Sequence, residues 1–112
     1  MSEPPADRRK SPRFAVRVPV QLTAGGEVHP AILQDLCRDA ALVEIRHPLQ
    51  LGIQVSLLLK LPGTGGPLQL GGHVVRVAPG PEAGALEVAV LFADVTRAAE
   101  TRIDFFIALQ AG

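Results

Sequence analysis

The stretch FAVRVPVQLTAGGEVHPAIL, residues 14–33, decides the fold. Phe14, Val16, Val18, Val20 and Leu22 alternate with Ala15, Arg17, Pro19 and Gln21. An apolar period of two is the mark of a half-buried strand. Pro19 has no N–H to give a ladder, so the strand is expected to lie at an edge there. Gly25-Gly26 then supplies the positive φ angles that a tight hairpin turn needs. Glu27–Leu33 reads as the returning strand.

Working outward, the same pattern repeats. Ala41–Ile45, Gln54–Leu61, Gln69–Val77 and Ala85–Leu91 read as four more strands. Pro62-Gly63-Thr64-Gly65-Gly66-Pro67 is a loop by its breakers, and Pro79-Gly80-Pro81 with Gly84 marks another. Six short strands spaced by turns predict a mainly β fold, a small antiparallel barrel or sandwich. The Gly71-Gly72 pair inside a strand predicts a bulge or sharp bend. Only the end departs from this pattern. Thr96–Leu109 reads as a helix, with Asp94 or Thr96 as its N-cap. Ala99, Ile103, Phe106 and Ile107 share one face and are expected to cover the barrel. Phe105 and Leu109 point away from that face. They either pack on a rim or loop, or form a patch for a partner.

The chain has 112 residues, which suits one domain. At 47% hydrophobic and 20% charged it is too apolar for disorder. One Cys excludes an internal disulfide framework and fits a reducing, cytoplasmic compartment. No apolar run approaches the roughly 20 residues of a spanning helix, so no membrane insertion is expected. The opening MSEPPADRRKSPR lacks the apolar core of a secretory signal. Net charge is zero, with 11 basic and 11 acidic residues, which counts against a general DNA or RNA binder. That zero is an average. Arg8, Arg9, Lys10, Arg13 and Arg17 fall early, against only Glu3 and Asp7. Residues 1–13 read as a flexible basic arm, and 14–112 as the folded body.

The residues offer little for catalysis, and an enzyme is not expected. His29, His47 and His73 are scattered and show no metal-ligand spacing, so they read as ordinary surface or loop histidines. Cys37 has no base or orienting group nearby in sequence, and reads as buried. Gly63-Thr64-Gly65-Gly66 lacks the Lys-Ser/Thr of a phosphate loop and precedes a strand. No metal or cofactor is expected. Two clusters remain. One is Arg9-Lys10-Ser11-Pro12-Arg13, an Arg-x-x-x-Arg just before the first strand. Guanidinium groups grip phosphates bidentately and stack on bases. The other is Asp35-Leu36-Cys37-Arg38-Asp39-Ala40, between strands two and three. A carboxylate there can accept hydrogen bonds from a guanine edge.

In this order and context the two clusters resemble those of the PilZ domain family, bacterial receptors for cyclic di-GMP. That family's signature is Arg-x-x-x-Arg on an N-terminal switch loop, followed by Asp/Asn-x-Ser-x-x-Gly. Arg9 and Arg13 match the first motif, with Arg8 beside them, and Asp35 opens the second. Leu49-Gln50-Leu51-Gly52, Gly72-His73-Val74-Val75-Arg76 and Val90-Leu91-Phe92 extend the likeness over residues 8–110. The resemblance implies a six-stranded antiparallel β-barrel with a C-terminal α-helix. It implies that Arg8, Arg9, Arg13 and Asp35, with Cys37 and Ala40, line a cyclic di-GMP site, and that the signal passes to a protein partner.

Cys37 stands at the motif's Ser position and Ala40 at its Gly position. A thiol is a weak hydrogen-bond donor, and losing one useful bond costs about 0.5–1.5 kcal/mol. If the Gly position requires positive φ, Ala adds on the order of 1 kcal/mol of strain. Together these lower affinity by about ten- to hundredfold. The alternative reading is a degenerate PilZ domain that binds no nucleotide and serves as a constitutive adaptor. A third is a nucleic-acid binder built on an OB-type barrel, against which the four Phe and absent Trp and Tyr count.

Overall fold

A computed structural model describes residues 14–60 and 66–111, with side chains over 17–60 and 66–109. The chain forms β1 (Phe14–Ala24), β2 (Glu27–Leu36), β3 (Ala40–Ile45), β4 (Gln54–Leu59), β5 (Leu68–Pro79), β6 (Leu86–Phe92) and α1 (Arg97–Ala111). All strand pairs are antiparallel, and they close in the order β1-β2-β3-β6-β5-β4. The expected mainly β fold is thus a closed six-stranded barrel with one C-terminal helix.

The hairpin that opens the chain forms as its sequence dictates. Gly25 and Gly26 carry φ of 59° and 84°, as a two-residue turn with both central residues left-handed requires. Ala24 faces Glu27 and the register runs back to Pro19 opposite Ile32. The expected edge at Pro19 is local. The β1–β4 ladder begins one residue later, at Val20 opposite Leu59. Pro30 repeats the device: it faces Gln21, and the β2–β3 ladder begins at Ala31 opposite Ile45. Each proline stands where its strand has a neighbour on one side only.

Two boundaries differ from the expectation because of bulges. β2 runs on to Leu36, past the Leu33 at which the period of two stops. The β2–β3 register slips between Leu33 and Asp35, so Gln34 is an extra residue. Leu33 and Leu36 are therefore both fully buried, although their spacing of three breaks the alternation. β5 likewise extends beyond both ends of the expected strand, with a slip between Val74 and Arg76. The Gly71-Gly72 pair is not itself that bulge. Gly72 instead admits a close approach: a Cβ there would lie 2.3 Å from the Leu91 carbonyl oxygen.

Leu22, Leu33, Val43, Leu57, Leu59, Val88 and Val90 fill the barrel interior without exposure. The helix starts where Thr96 Oγ1 accepts the Ala99 N–H at 3.1 Å, so Thr96 is the N-cap. Asp94 is a turn residue before it, with φ of 56°. Ile103 and Phe106 are wholly buried and Ala99 nearly so, confirming the expected inner face. Burying Ile103 and Phe106 contributes about 1.5–3 kcal/mol each. Arg102 adds a polar tie by donating to the carbonyls of Gly66 and Pro67.

The close approach at Gly72 gives a paired test. Gly72→Ala should destabilise the fold by about 1–3 kcal/mol, as overpacking does. Gly71→Ala meets nothing within 4 Å and should change stability far less. Urea denaturation of both variants measures the difference.

Candidate ligand-binding site

The register of the first hairpin sets the start of β1 beside the second sequence cluster. Phe14 faces Leu36 and Ala15 faces Asp35. Arg13, the last residue of the first cluster, directly precedes Phe14 in the sequence. Arg8, Arg9 and Arg13 themselves lie outside the described residues.

The 37–40 segment is a tight connection between β2 and β3. The Cys37 N–H donates to the Ala40 carbonyl at 2.9 Å, and the Phe92 N–H donates to the Asp39 carbonyl at 2.8 Å. The turn is thereby pinned to the end of β6. Cys37 is buried, as expected, and its thiol donates to Asp39 Oδ1 at 3.0 Å. Burial, reinforced by the neighbouring Asp39 carboxylate, pushes the thiol's pKa up and keeps it protonated. The thiol therefore braces the turn from within. Asp35 is half-buried just beyond the Gln34 bulge.

The strain expected at Ala40 is absent. Ala40 begins β3, in register with Leu91. Among the described residues Asp94 is the one non-glycine with positive φ. Replacing a motif glycine at this position thus leaves no backbone penalty, only a methyl group.

The structure also gathers residues beside Asp35 that the sequence reading did not single out for a site. Glu44 of β3 is buried on the barrel wall. It accepts a hydrogen bond from Gln34 Nε2 at 2.9 Å, and Arg17 Nη1 lies 3.6 Å from the same oxygen. One glutamate inside the apolar run Ala40–Ile45 was the visible signal; its partners lie on other strands. A groove of about 310 Å³ continues past Glu44 between Pro19, Pro30, Ile32 and Arg46. It opens where the two prolines cut their ladders short.

Arg38, at the tip of the turn, reaches the helix. Its Nε lies 3.0 and 3.1 Å from the two carboxylate oxygens of Asp104, and its Nη2 lies 2.7 Å from Oδ2. The next residue, Phe105, is half exposed, and so is Leu109. At the far end of the barrel His29 and His47 stack, with ring centroids 3.9 Å apart. They are not scattered, as their sequence positions suggested.

The Arg38 guanidinium holds the Asp104 carboxyl below the usual carboxylate range. A depressed carboxyl pKa adds stability above the ordinary range and loses it as pH falls through the lowered value. Asp104→Asn should therefore lower the melting temperature at neutral pH. In strong acid the wild type and the variant should converge. Thermal melts across pH read both limits.

Compared with known proteins, the sequence matches the family model for the PilZ domain over residues 7–109. No curated protein matches it. Among solved structures it is similar to the PilZ domain with c-di-GMP of YcgR from Escherichia coli. The TM-score is 0.76 at 14% identity, covering 93% of this chain and 94% of that one. It is similar to the PilZ domain of CeSA from a cellulose-synthesizing bacterium, with TM-score 0.68, 18% identity, and 91% and 100% covered. It is also similar to the Bacillus subtilis inhibitor of motility, with TM-score 0.74 at 16% identity. There 93% of this chain is covered but 52% of the other, so this chain spans about half that protein's length. At such identities the likeness to these structures is one of fold.

Proposed function

The chain belongs to the PilZ domain family, and from that premise we propose that it is a cyclic di-GMP receptor that relays the messenger's level to a protein partner. The observation that carries this reading is the β1–β2 register, Ala15 opposite Asp35 and Phe14 opposite Leu36. It sets Phe14, which directly follows Arg13 in the sequence, beside the strand end that carries Asp35, and this supports the reading. In the proposed mechanism Arg9 and Arg13 grip the phosphates and stack on guanine, and Asp35 accepts from a guanine edge. Arg8 reinforces the cationic field. Residues 1–13 act as a switch loop that orders over the 14–112 barrel when ligand arrives. The reading needs no catalytic group, and it places the protein in the cytoplasm, where the messenger would be met. No described helix is long and apolar enough to cross a membrane.

Of the two positions that depart from the motif, Cys37 tunes affinity and Ala40 does not. Cys37 replaces the motif serine and is already engaged with Asp39. Its cost to binding is about 0.5–1.5 kcal/mol, or roughly two- to tenfold in affinity. Ala40 takes an ordinary strand conformation and adds no strain.

Calorimetric titration of the full chain with cyclic di-GMP at low salt tests this. Saturable binding is expected, weakening as salt rises because the arm's charge is screened. Arg9→Ala or Arg13→Ala should abolish it. Cys37→Ser should tighten it by about two- to tenfold, and Ala40→Gly should leave it nearly unchanged. No heat at high micromolar ligand, from protein shown to be folded, overturns the receptor reading.

A second reading rests on Phe105 and Leu109, exposed to 50% and 48% on the outer face of α1. Such apolar exposure in a chain with only four Phe suits a constitutive adaptor that docks a protein without nucleotide. Phe105→Asp should then remove every partner captured by the wild-type chain while leaving the melting temperature unchanged. Unchanged partners reject the patch.

A further inference from the structure

The far end of the barrel carries a second cluster, at the opposite end of the first hairpin from the 35–40 turn. β2 leaves the Gly25-Gly26 turn here, and Glu27 and His29, two residues apart, share one face of it. β3 ends with Ile45 opposite Ala31, and continuing that register by two residues sets His47 across from His29. The two imidazoles stack at 3.9 Å between centroids, with planes 18° apart. The ligand atoms of Glu27, His29 and His47 all lie within 4.8 Å of one another.

One atom in this cluster lacks a partner. His29 Nε2 is sealed from solvent and makes no hydrogen bond. Buried polar atoms are satisfied as a rule, and an exception points to a missing ion or water. Glu27 Oε1 lies 3.6 Å away, beyond hydrogen-bonding reach. That spacing suits something else. Two ligand atoms at about 2.0–2.1 Å from a tetrahedral zinc stand roughly 3.3 Å apart. His29 and Glu27 are therefore spaced as two ligands on one ion.

We propose that Glu27, His29 and His47 form a binding site for a divalent transition-metal ion of the zinc class. Two imidazoles and a carboxylate are the donor set that such ions prefer over magnesium or calcium. The Glu27 side chain is 73% exposed and free to turn inward. Side-chain rotation at Glu27 and His47 brings the remaining donors to bonding distance. Bound there, the ion cross-links the start of β2 to the segment after β3. The site is independent of the nucleotide reading. Its residues lie at the Ala24/Glu27 end of the first hairpin, whereas Phe14/Leu36 mark the other.

The test uses the untagged full chain, stripped with chelator. Calorimetry with zinc chloride should show one ion per chain, and zinc should raise the melting temperature. His47→Ala should weaken binding by at least about tenfold, since even an outer-shell partner is commonly worth that much. Glu27→Gln should weaken it too. His73→Ala and Cys37→Ser should leave it unchanged. Cobalt(II) in place of zinc should give a visible spectrum of nitrogen and oxygen ligands without a thiolate charge-transfer band. If His29→Ala fails to fold, His47→Ala and the cobalt spectrum decide. The proposal is overturned by no saturable zinc binding, by binding that survives His47→Ala, or by a thiolate band that Cys37→Ser removes.

Discussion

Pairing between β1 and β4, from Val20 opposite Leu59 to Ala24 opposite Val55, turns a six-stranded sheet into a barrel. Without it β1 and β4 would each present a row of unpaired backbone groups. Closure removes both edges and encloses an interior just wide enough for Leu22, Leu33, Leu57 and Leu59 to fill it. The wall is then a continuous surface on which β1, β2 and β3 lie side by side. The turn between β2 and β3 is pinned to the end of β6, where the Phe92 N–H donates to the Asp39 carbonyl. β1 has partners on both flanks only from Val20 onward; at Phe14 and Ala15 it pairs with β2 alone.

Within this frame the helix does more than cover apolar side chains. Ile103 and Phe106 anchor it, and Arg38 ties it to the turn that carries the second motif. Arg102 ties it to the carbonyls of Gly66 and Pro67. An exposed ion pair alone is worth little. Here the bidentate geometry matters for position more than for stability. It sets the turn and the residue beside Phe105 in one rigid relation.

Features written in local patterning were legible in the sequence. The alternation from Val18 to Leu22, the two glycines at 25 and 26, and the helix face through Ala99, Ile103 and Phe106 appear as read, while the β1–β2 register slips between Ala15 and Val18. What failed was written in geometry. The extra residue at Gln34 puts Leu33 and Leu36 on the same side, so the alternation stops before the strand does. Ala40 was judged from the residue it replaces, yet its conformation is set by pairing with Leu91. The site divides in the same way. The two clusters are contiguous runs and could be read directly. Glu44 with Gln34, Arg38 with Asp104 and His29 with His47 are contacts between strands or with the helix, and no local spacing announces them.

The strand order has one more consequence. β1, β2 and β3 are consecutive neighbours, and so are β4, β5 and β6. The chain is thus two three-stranded meanders in succession, and the barrel is their face-to-face assembly along two seams. One seam is β1 with β4 and the other is β3 with β6. The first meander holds the entry of the arm and the turn of the second motif; the second meander leads into the helix. Arg38 and Asp104, 66 residues apart, form a clasp between the halves besides the two ladders. Arg46 forms another tie between the halves, donating to the Ala83 carbonyl and to Glu82, so a change felt in the first half reaches the loop between β5 and β6 as well as the helix.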